Sequence, residues 1–336
     1  MQSYTILSNP PSVVPVFVPV ARIYSRTTPD CHTFVARIRT KIWRIGKFIV
    51  TLHIETKKTM AYTHPITRRK HVLTVFTLLL FIATRAMSQS LTCHKAEVKD
   101  SYDFWFYDPQ TIEDENAHYP LLIFLHGASL CGKNMEKVKR YGPISALHKG
   151  RCIDSYIVSP QNPGGAWSPQ KIMKIVDWAS QKFAVDTTRI YVYGMSLGGY
   201  GTIDLAASFP HRIAAAMAIC GGASVTDLKG LSSLPLWIIH GTADRAVPIA
   251  QSDRVVKAIR ESGDDSRLIY TRLKGVDHGR PARIFYLMQT YDWLFSHSLL
   301  DEDRAVCRDF SITVPMLNEA YQDLGSKSDF HPEVFE

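Results

Sequence analysis

Apolar runs of strand length alternate along this chain with stretches whose apolar positions recur at helical spacing. "LLIFLHG" at 121–127, "SYIVSP" at 155–160, "RIYVYG" at 189–194 and "PLWIIHG" at 235–241 read as strands, as do "RIAAAMAICGG" and "RLIYTRLKG". Between them, "KIMKIVDWASQKF" (171–183) places apolar residues at 172, 173, 176, 179 and 183, which form one helix face. "GGYGTIDLAASFP", "QSDRVVKAIRESG" and "ARIFYLMQTYDWLFSH" read as further helices. Runs such as "LLIFL" and "LWII" are apolar at successive positions, which strands covered on both faces require. The alternation predicts an α/β fold, with a mainly parallel central sheet and helices on both faces. One catalytic domain over about 95–299 accounts for it. The remainder, 300–336, has 9 Asp/Glu against 3 Lys/Arg and little apolar periodicity, so it is expected to be a loosely attached surface tail.

Charge changes the picture only at the front of the chain. Of 336 residues with formal charge +8, residues 1–88 hold 13 Lys/Arg and 2 Asp/Glu, a net of +11. The rest is net −3, so the basic excess gives no reason to expect nucleic acid as a partner. "RRK" at 68–70 is followed by "VLTVFTLLLFIAT" (72–84), then by Ala86 and Ser88 at the −3 and −1 positions of a cut before Gln89. That is the layout of a secretory signal peptide over 60–88, and it predicts an exported, periplasmic or extracellular protein. The apolar run is short for a membrane span of about 20 residues, so a membrane partner enters only if 72–84 stays uncleaved. Residues 1–59 read as a spurious or dispensable extension ahead of Met60, with a basic, apolar membrane-surface arm as the rival reading. Cleavage leaves Cys93, Cys131, Cys152, Cys220 and Cys307, an odd number, with Cys131–Cys152 a candidate pair. No cysteine spacing resembles a zinc site, and no metal or organic cofactor is expected.

The candidate chemistry begins at "VYGMSLGGYG". Gly194-Met195-Ser196-Leu197-Gly198 spells G-x-S-x-G between a strand and a helix. In that context the serine is a nucleophile on a sharp turn, and glycines two before and two after it relieve crowding. A serine hydroxyl needs a base, and the base needs an orienting acid. Asp244 follows the strand "PLWIIHG", and His278 follows "RLIYTRLKG", so acid and base each sit just past a later strand. Asp253 falls inside a helix, and Asp277 adjoins the histidine. His297 and His331 lie in the last helix and the tail, while His126 and His240 read as structural residues at strand ends. An oxyanion would be met by the N–H of Leu197 and by the loop "LHGASLCG", through Ala128 with Ser129 close behind.

"YPLLIFLHGASLCG", "SPQNPGGAWSPQ", "VDTTRIYVYGMSLGGYGTIDLA", "MAICGG", "LPLWIIHGTADRAVP" and "GVDHG" together resemble one group of α/β-hydrolases. These are exported esterases near the feruloyl-esterase and polyhydroxybutyrate-depolymerase-like families, also described as predicted peptidases or phospholipase/carboxylesterase-like proteins. The resemblance covers roughly residues 100–298. It implies a Ser196–Asp244–His278 hydrolase acting on small or polysaccharide-linked esters. Trp167 lies in a loop that matches the substrate side of that group, where it would stack on a sugar or aromatic acyl group. Relatives often continue "GHDSW" where this chain has "DHGRPAR", which puts Arg280 and Arg283 in place to meet an acidic substrate group. Two rivals remain at this level: a serine peptidase of the prolyl-oligopeptidase-like type, and an inactive hydrolase fold acting as an envelope binding protein. The sequence leaves the oligomeric state open.

Overall fold

The computed structural model describes residues 90–109, 118–322 and 324. The expected extension (1–59) and signal peptide (60–88) lie outside them. Among the described residues eight strands form one sheet: β1 (Ser90–His94), β2 (Phe104–Asp108), β3 (Tyr119–Leu125), β4 (Tyr156–Pro160), β5 (Val185–Met195), β6 (Ala215–Ile219), β7 (Leu236–Gly241) and β8 (Leu268–Leu273). Their order is β1-β2-β4-β3-β5-β6-β7-β8. β2 runs antiparallel to β1 and β4, and the other pairs are parallel. The sheet therefore starts at Ser90, ahead of the expected boundary near 95, with a largely exposed β1 (SLTCH) and an aromatic β2 (FWFYD), neither among the expected strands.

The continuous apolar runs have the predicted cause. Successive strand side chains point to opposite faces. Leu121, Ile123 and Leu125 of β3 enter one core, and Leu122 and Phe124 enter the other. Leu236 and Ile238 of β7 divide from Trp237 and Ile239 in the same way. The first core is closed by α2 (Pro169–Lys182), α3 (Leu197–Ser208) and α4 (Ala250–Glu261), and the second by the short α1 (Pro143–His148) and by α5 (Met288–Phe295). Among the described residues no helix is long and apolar enough to cross a membrane.

Three expectations change. The helix read over 282–297 is a 3-10 segment, Arg280–Tyr286, followed by α5 after an extended Leu287 (φ −79°, ψ 132°). The break is stabilised because the Thr290 and Tyr291 hydroxyls donate to the Ile284 and Phe285 carbonyls at 2.6 and 2.5 Å. The tail is not loose over its described part. Ile312, Leu317 and Ala320 are buried in the second core, Leu317 on α6 (Val314–Glu319). Arg304 donates to the carbonyls of Pro210, Ser233, Ile213 and Ala214. Finally, Cys131 carries a free thiol, so the candidate bridge to Cys152 does not form.

Candidate active site

The site lies where the parallel strands β3, β5, β7 and β8 end. β5 runs into α3 through Ser196, whose φ of +59° and ψ of −121° fall outside the ordinary regions for a residue with a side chain. The turn is held because the Ser196 N–H donates to Ile219 O at 2.9 Å and Ser196 O accepts from Tyr200 N at 3.0 Å. A methyl group on Gly198 would lie 1.8 Å from Leu125 O, and one on Gly194 would lie 2.5 Å from the same oxygen. Both positions must be glycine for β3 to pass this close to the turn. Ser196 and Leu197 are half-buried.

Asp244 is buried in the loop after β7, and His278, with its side chain 25% exposed, stands in the loop after β8. His278 Nδ1 is 2.6 Å from Asp244 Oδ2, so the ring donates there and leaves Nε2 as the outward nitrogen. Asp244 Oδ1 accepts from the N–H groups of Ala246 and Val247 at 2.9 and 2.8 Å. Burial works to raise this carboxyl's pKa, but the bonds from His278 and Val247 outweigh it and hold the group below its ordinary value. Acid and base, 34 residues apart in sequence, are thus brought together with the carboxylate charged.

A second histidine braces the acid. His240, fully buried at the end of β7, donates from Nε2 to Val247 O at 2.9 Å, and Asp244 Oδ2 lies 3.3 Å from the same nitrogen. Its Nδ1 is 2.7 Å from the Ser252 hydroxyl, itself 2.9 Å from Gly221 O. Burial lowers the pKa of this ring and keeps it neutral. Cys220, at φ +47° just after β6, is the third group here, and burial pushes its thiol well up. Cys220, His240 and Asp244 offer ligand atoms within 4.8 Å of one another, the kind of cluster that can hold a metal ion. Their atoms already serve protein partners: Asp244 holds His278, and His240 holds Val247 and Ser252.

The loop after β3 is fixed from several sides. His126 Nδ1–H donates to Gly127 O at 2.8 Å, and Nε2 accepts from Asn162 N at 3.0 Å, which sets one neutral tautomer. Burial holds this ring's pKa down at about 4. The Tyr141 hydroxyl accepts from Gly127 N at 2.6 Å and bonds the Ser129 side chain. Gln161 Nε2 donates to Leu130 O and Gly132 O at 2.8 and 2.9 Å. The N–H groups of Gly127, Leu130, Cys131 and Gly132 are therefore spent. Those of Ala128 and Ser129 have no acceptor among the described residues, and both residues are exposed. Gly127 itself lies against Ser196: a methyl added to it would be 3.4 Å from Ser196 Cβ. Sequence reasoning missed Tyr141 because it sits in a charged stretch, "EKVKRYG", with no pattern that marks it.

Two expected substrate contacts are corrected. Trp167 is 3% exposed, donates from Nε1 to His126 O at 3.3 Å and meets the Tyr102 and His126 rings edge-on at 5.1 and 5.0 Å. It supports the loop from beneath and offers no face to a sugar. Arg283 donates to Leu317 O at 3.2 Å and lies 5.6 Å over the Tyr321 ring, so it holds the tail. Arg280 is exposed, and among the described residues its backbone N–H is engaged by Asp277 Oδ1 at 3.0 Å.

Comparison with known proteins fits this architecture. The model of the prolyl oligopeptidase family matches residues 161–236, which include Ser196 but neither Asp244 nor His278. The bifunctional acetylxylan esterase/xylanase XynS20E of Neocallimastix patriciarum is 26% identical over 185 residues, 52% of this chain and 26% of that protein. Acetylxylan esterase A of Emericella nidulans is 32% identical over 126 residues, 35% of this chain and 41% of that protein. The chain thus spans about a quarter to two-fifths of the length of these relatives. The crystal structure of a thermostable esterase superposes with a TM-score of 0.51 at 25% identity, covering 62% of this chain and 63% of that one. Strand order, elbow and similarities converge: the chain has the α/β-hydrolase fold, and its sequence fits the esterase group of that superfamily.

Proposed function

We propose that this protein is an exported serine esterase. Ser196 Oγ attacks the carbonyl carbon of a carboxylic ester while its proton passes to His278 Nε2. Asp244 orients the imidazole and stabilises the imidazolium that forms. The N–H groups of Leu197 and Ala128 receive the developing oxyanion. His278 then returns the proton to the departing alcohol, leaving an acyl group on Ser196. Water, deprotonated by His278, attacks that acyl group and releases the carboxylate. Each step is served by side chains and backbone groups of this chain. The observation that carries the reading is the 2.6 Å bond from His278 to a buried, charged Asp244 beside a strained serine turn. The acetylxylan esterase relatives support acyl groups on polysaccharide as the substrate class.

The test is hydrolysis of p-nitrophenyl acetate, longer acyl esters and methyl ferulate by the purified protein beside Ser196→Ala, with fluorophosphonate labelling. Loss of the serine should cost up to roughly 10⁶ in rate and abolish labelling. Equal background rates with no labelling of folded protein would instead favour a binding role. The prolyl oligopeptidase match over 161–236 favours one alternative, a serine peptidase using the same three residues. Labelling at Ser196 with turnover of peptide anilides and not of esters would select it.

A further inference from the structure

Ser252 is the third residue of α4, and it is buried. A serine near a helix start commonly bonds the backbone of its own helix. This one turns inward instead. Its hydroxyl lies 2.7 Å from His240 Nδ1 and 2.9 Å from Gly221 O, so it joins α4 to the end of β7 and to the loop after β6. His240 turns its other nitrogen to the turn that holds the acid. Nε2 is 2.9 Å from Val247 O and 3.3 Å from Asp244 Oδ2. The same Val247 donates its N–H to Asp244 Oδ1 at 2.8 Å. His240 therefore grips the carboxylate twice, directly and through Val247.

Counting protons shows what Ser252 contributes. A neutral imidazole has one N–H and one lone pair. Burial keeps His240 neutral. Val247 O and the charged Asp244 are acceptors only, so the N–H belongs on Nε2. Nδ1 is then a bare acceptor, and among the described residues its donor is the Ser252 hydroxyl. That hydroxyl has one proton and two acceptors, and Gly221 O is the farther of them. With the proton toward Nδ1, both bonds of the ring are made. With the proton toward Gly221 O, the hydroxyl becomes an acceptor for the ring and draws the imidazole proton to Nδ1. Nε2 would then aim a lone pair at a carbonyl and a carboxylate. The side chains of His240 and Asp244 are both closed to solvent, so no water would compensate.

We infer that Ser252 is a positioning residue for the acid: its hydroxyl selects the Nε2–H form of His240, and that N–H holds Asp244 Oδ2 in line with His278. The bond made at one nitrogen of a histidine decides which nitrogen carries the proton. The chain of contacts runs from Ser252 through His240 and Asp244 to His278 Nδ1, 2.6 Å from the carboxylate. Without the hydroxyl, the form of His240 is unset and the 244–247 turn loosens. Fewer molecules then hold His278 in the attacking alignment. Ser252 and His240 are buried away from substrate, so the loss falls on kcat and spares KM. This inference rests on the esterase reading, which makes Asp244 and His278 its acid and base.

The experiment measures p-nitrophenyl acetate turnover by the wild type, Ser252→Ala, His240→Gln and the double variant. Rates are counted per site labelled by fluorophosphonate, which removes misfolded protein from the comparison. Ser252→Ala should lower kcat by about 10- to 100-fold and leave KM within about twofold. A glutamine at 240 offers Val247 O an amide donor with no alternative form to select. Adding Ser252→Ala to it should therefore cost less than about twofold. Nitrogen-15 NMR of the wild type should place the His240 proton on Nε2, with Nδ1 bare. A proton on Nδ1, or on both nitrogens, overturns the inference. So does an unchanged kcat in Ser252→Ala, or an equal loss from it in both backgrounds; each leaves the esterase reading standing. A wild type that neither hydrolyses the ester nor labels at Ser196 overturns that reading and this inference with it. The wild-type NMR decides the matter even where a variant does not fold.

Discussion

Acidification should loosen this protein through His126 before it touches the carboxylates. The ring is fully buried, and its unprotonated Nε2 accepts the Asn162 N–H that ties the 161–167 loop to the loop after β3. Its pKa is held at about 4, against an ordinary 6.5 that the unfolded chain regains. Above pH 6.5 neither state binds the proton, and the full stabilisation is present. As pH falls from there toward 4, the unfolded state binds a proton that the folded state refuses. Stability then drops by about 1.4 kcal/mol per pH unit, to a total near 3 kcal/mol, with no further loss from this group at lower pH. His240 and His297 are also pushed down by burial and add losses of the same sign. The comparison that isolates His126 is His126→Gln. A glutamine amide can donate to Gly127 O and accept from Asn162 N–H without titrating. The variant will lose some packing against Trp167 at every pH. Its stability curve, from urea midpoints at steps across this range, should nevertheless be shallower than that of the wild type by about one proton. Parallel curves would refute the assignment of a neutral, proton-excluding His126.

Other substitutions test the remaining pieces. Gly198→Ala puts a methyl 1.8 Å from Leu125 O and should cost more than about 4 kcal/mol, read as loss of soluble folded protein. Asp244→Asn should keep the fold and lower kcat by about 10⁴, and an unchanged kcat would remove Asp244 from its role. Tyr141→Phe leaves the Gly127 N–H without its acceptor, at a cost of about 1–3 kcal/mol. Because that N–H adjoins Ala128, the effect should fall on kcat, and a rise in KM alone would contradict it. Leu317→Ala should lower stability by about 2–5 kcal/mol, whereas a loss below about 1 would mean that α6 is not part of the core.

What the sequence made legible follows from how strongly each feature is written in local pattern. Strands buried on both faces must be apolar at every position, so β3 and β7 stand out in any reading. The serine turn is legible because glycine is forced at 194 and 198 by the approach of Leu125 O. Asp244 and His278 could be ordered by their positions after strands, although only the fold brings them within 2.6 Å. Features that depend on distant partners were hidden. β2 is held by antiparallel pairing to β4 and β1 by antiparallel pairing to β2, and each is only five residues long. Trp167 sits in a Gly-Pro loop, which suggests exposure, yet Tyr102, His126 and Gly201 surround its ring. The tail's acidic composition conceals Ile312, Leu317 and Ala320, whose spacing follows an irregular path over the second core.

That path has a mechanical consequence. Arg304 is fastened to carbonyls that precede β6 and β7, at the end of the sheet opposite Ser196. From there the chain climbs to α6, where Leu317 O takes Arg283 and the Tyr321 ring meets Tyr286 at 4.9 Å. Arg283 and Tyr286 belong to the 3-10 segment that begins two residues after His278. The tail is therefore a strap, anchored at the foot of the sheet and again on the platform that the 3-10 segment forms after His278. A nick between 305 and 312 would leave every reacting group in place, yet it would cut the tie between foot and platform. The lifetime of the base's alignment, visible as hydrogen exchange across 280–286, would then be set by a stretch of chain that never approaches the substrate.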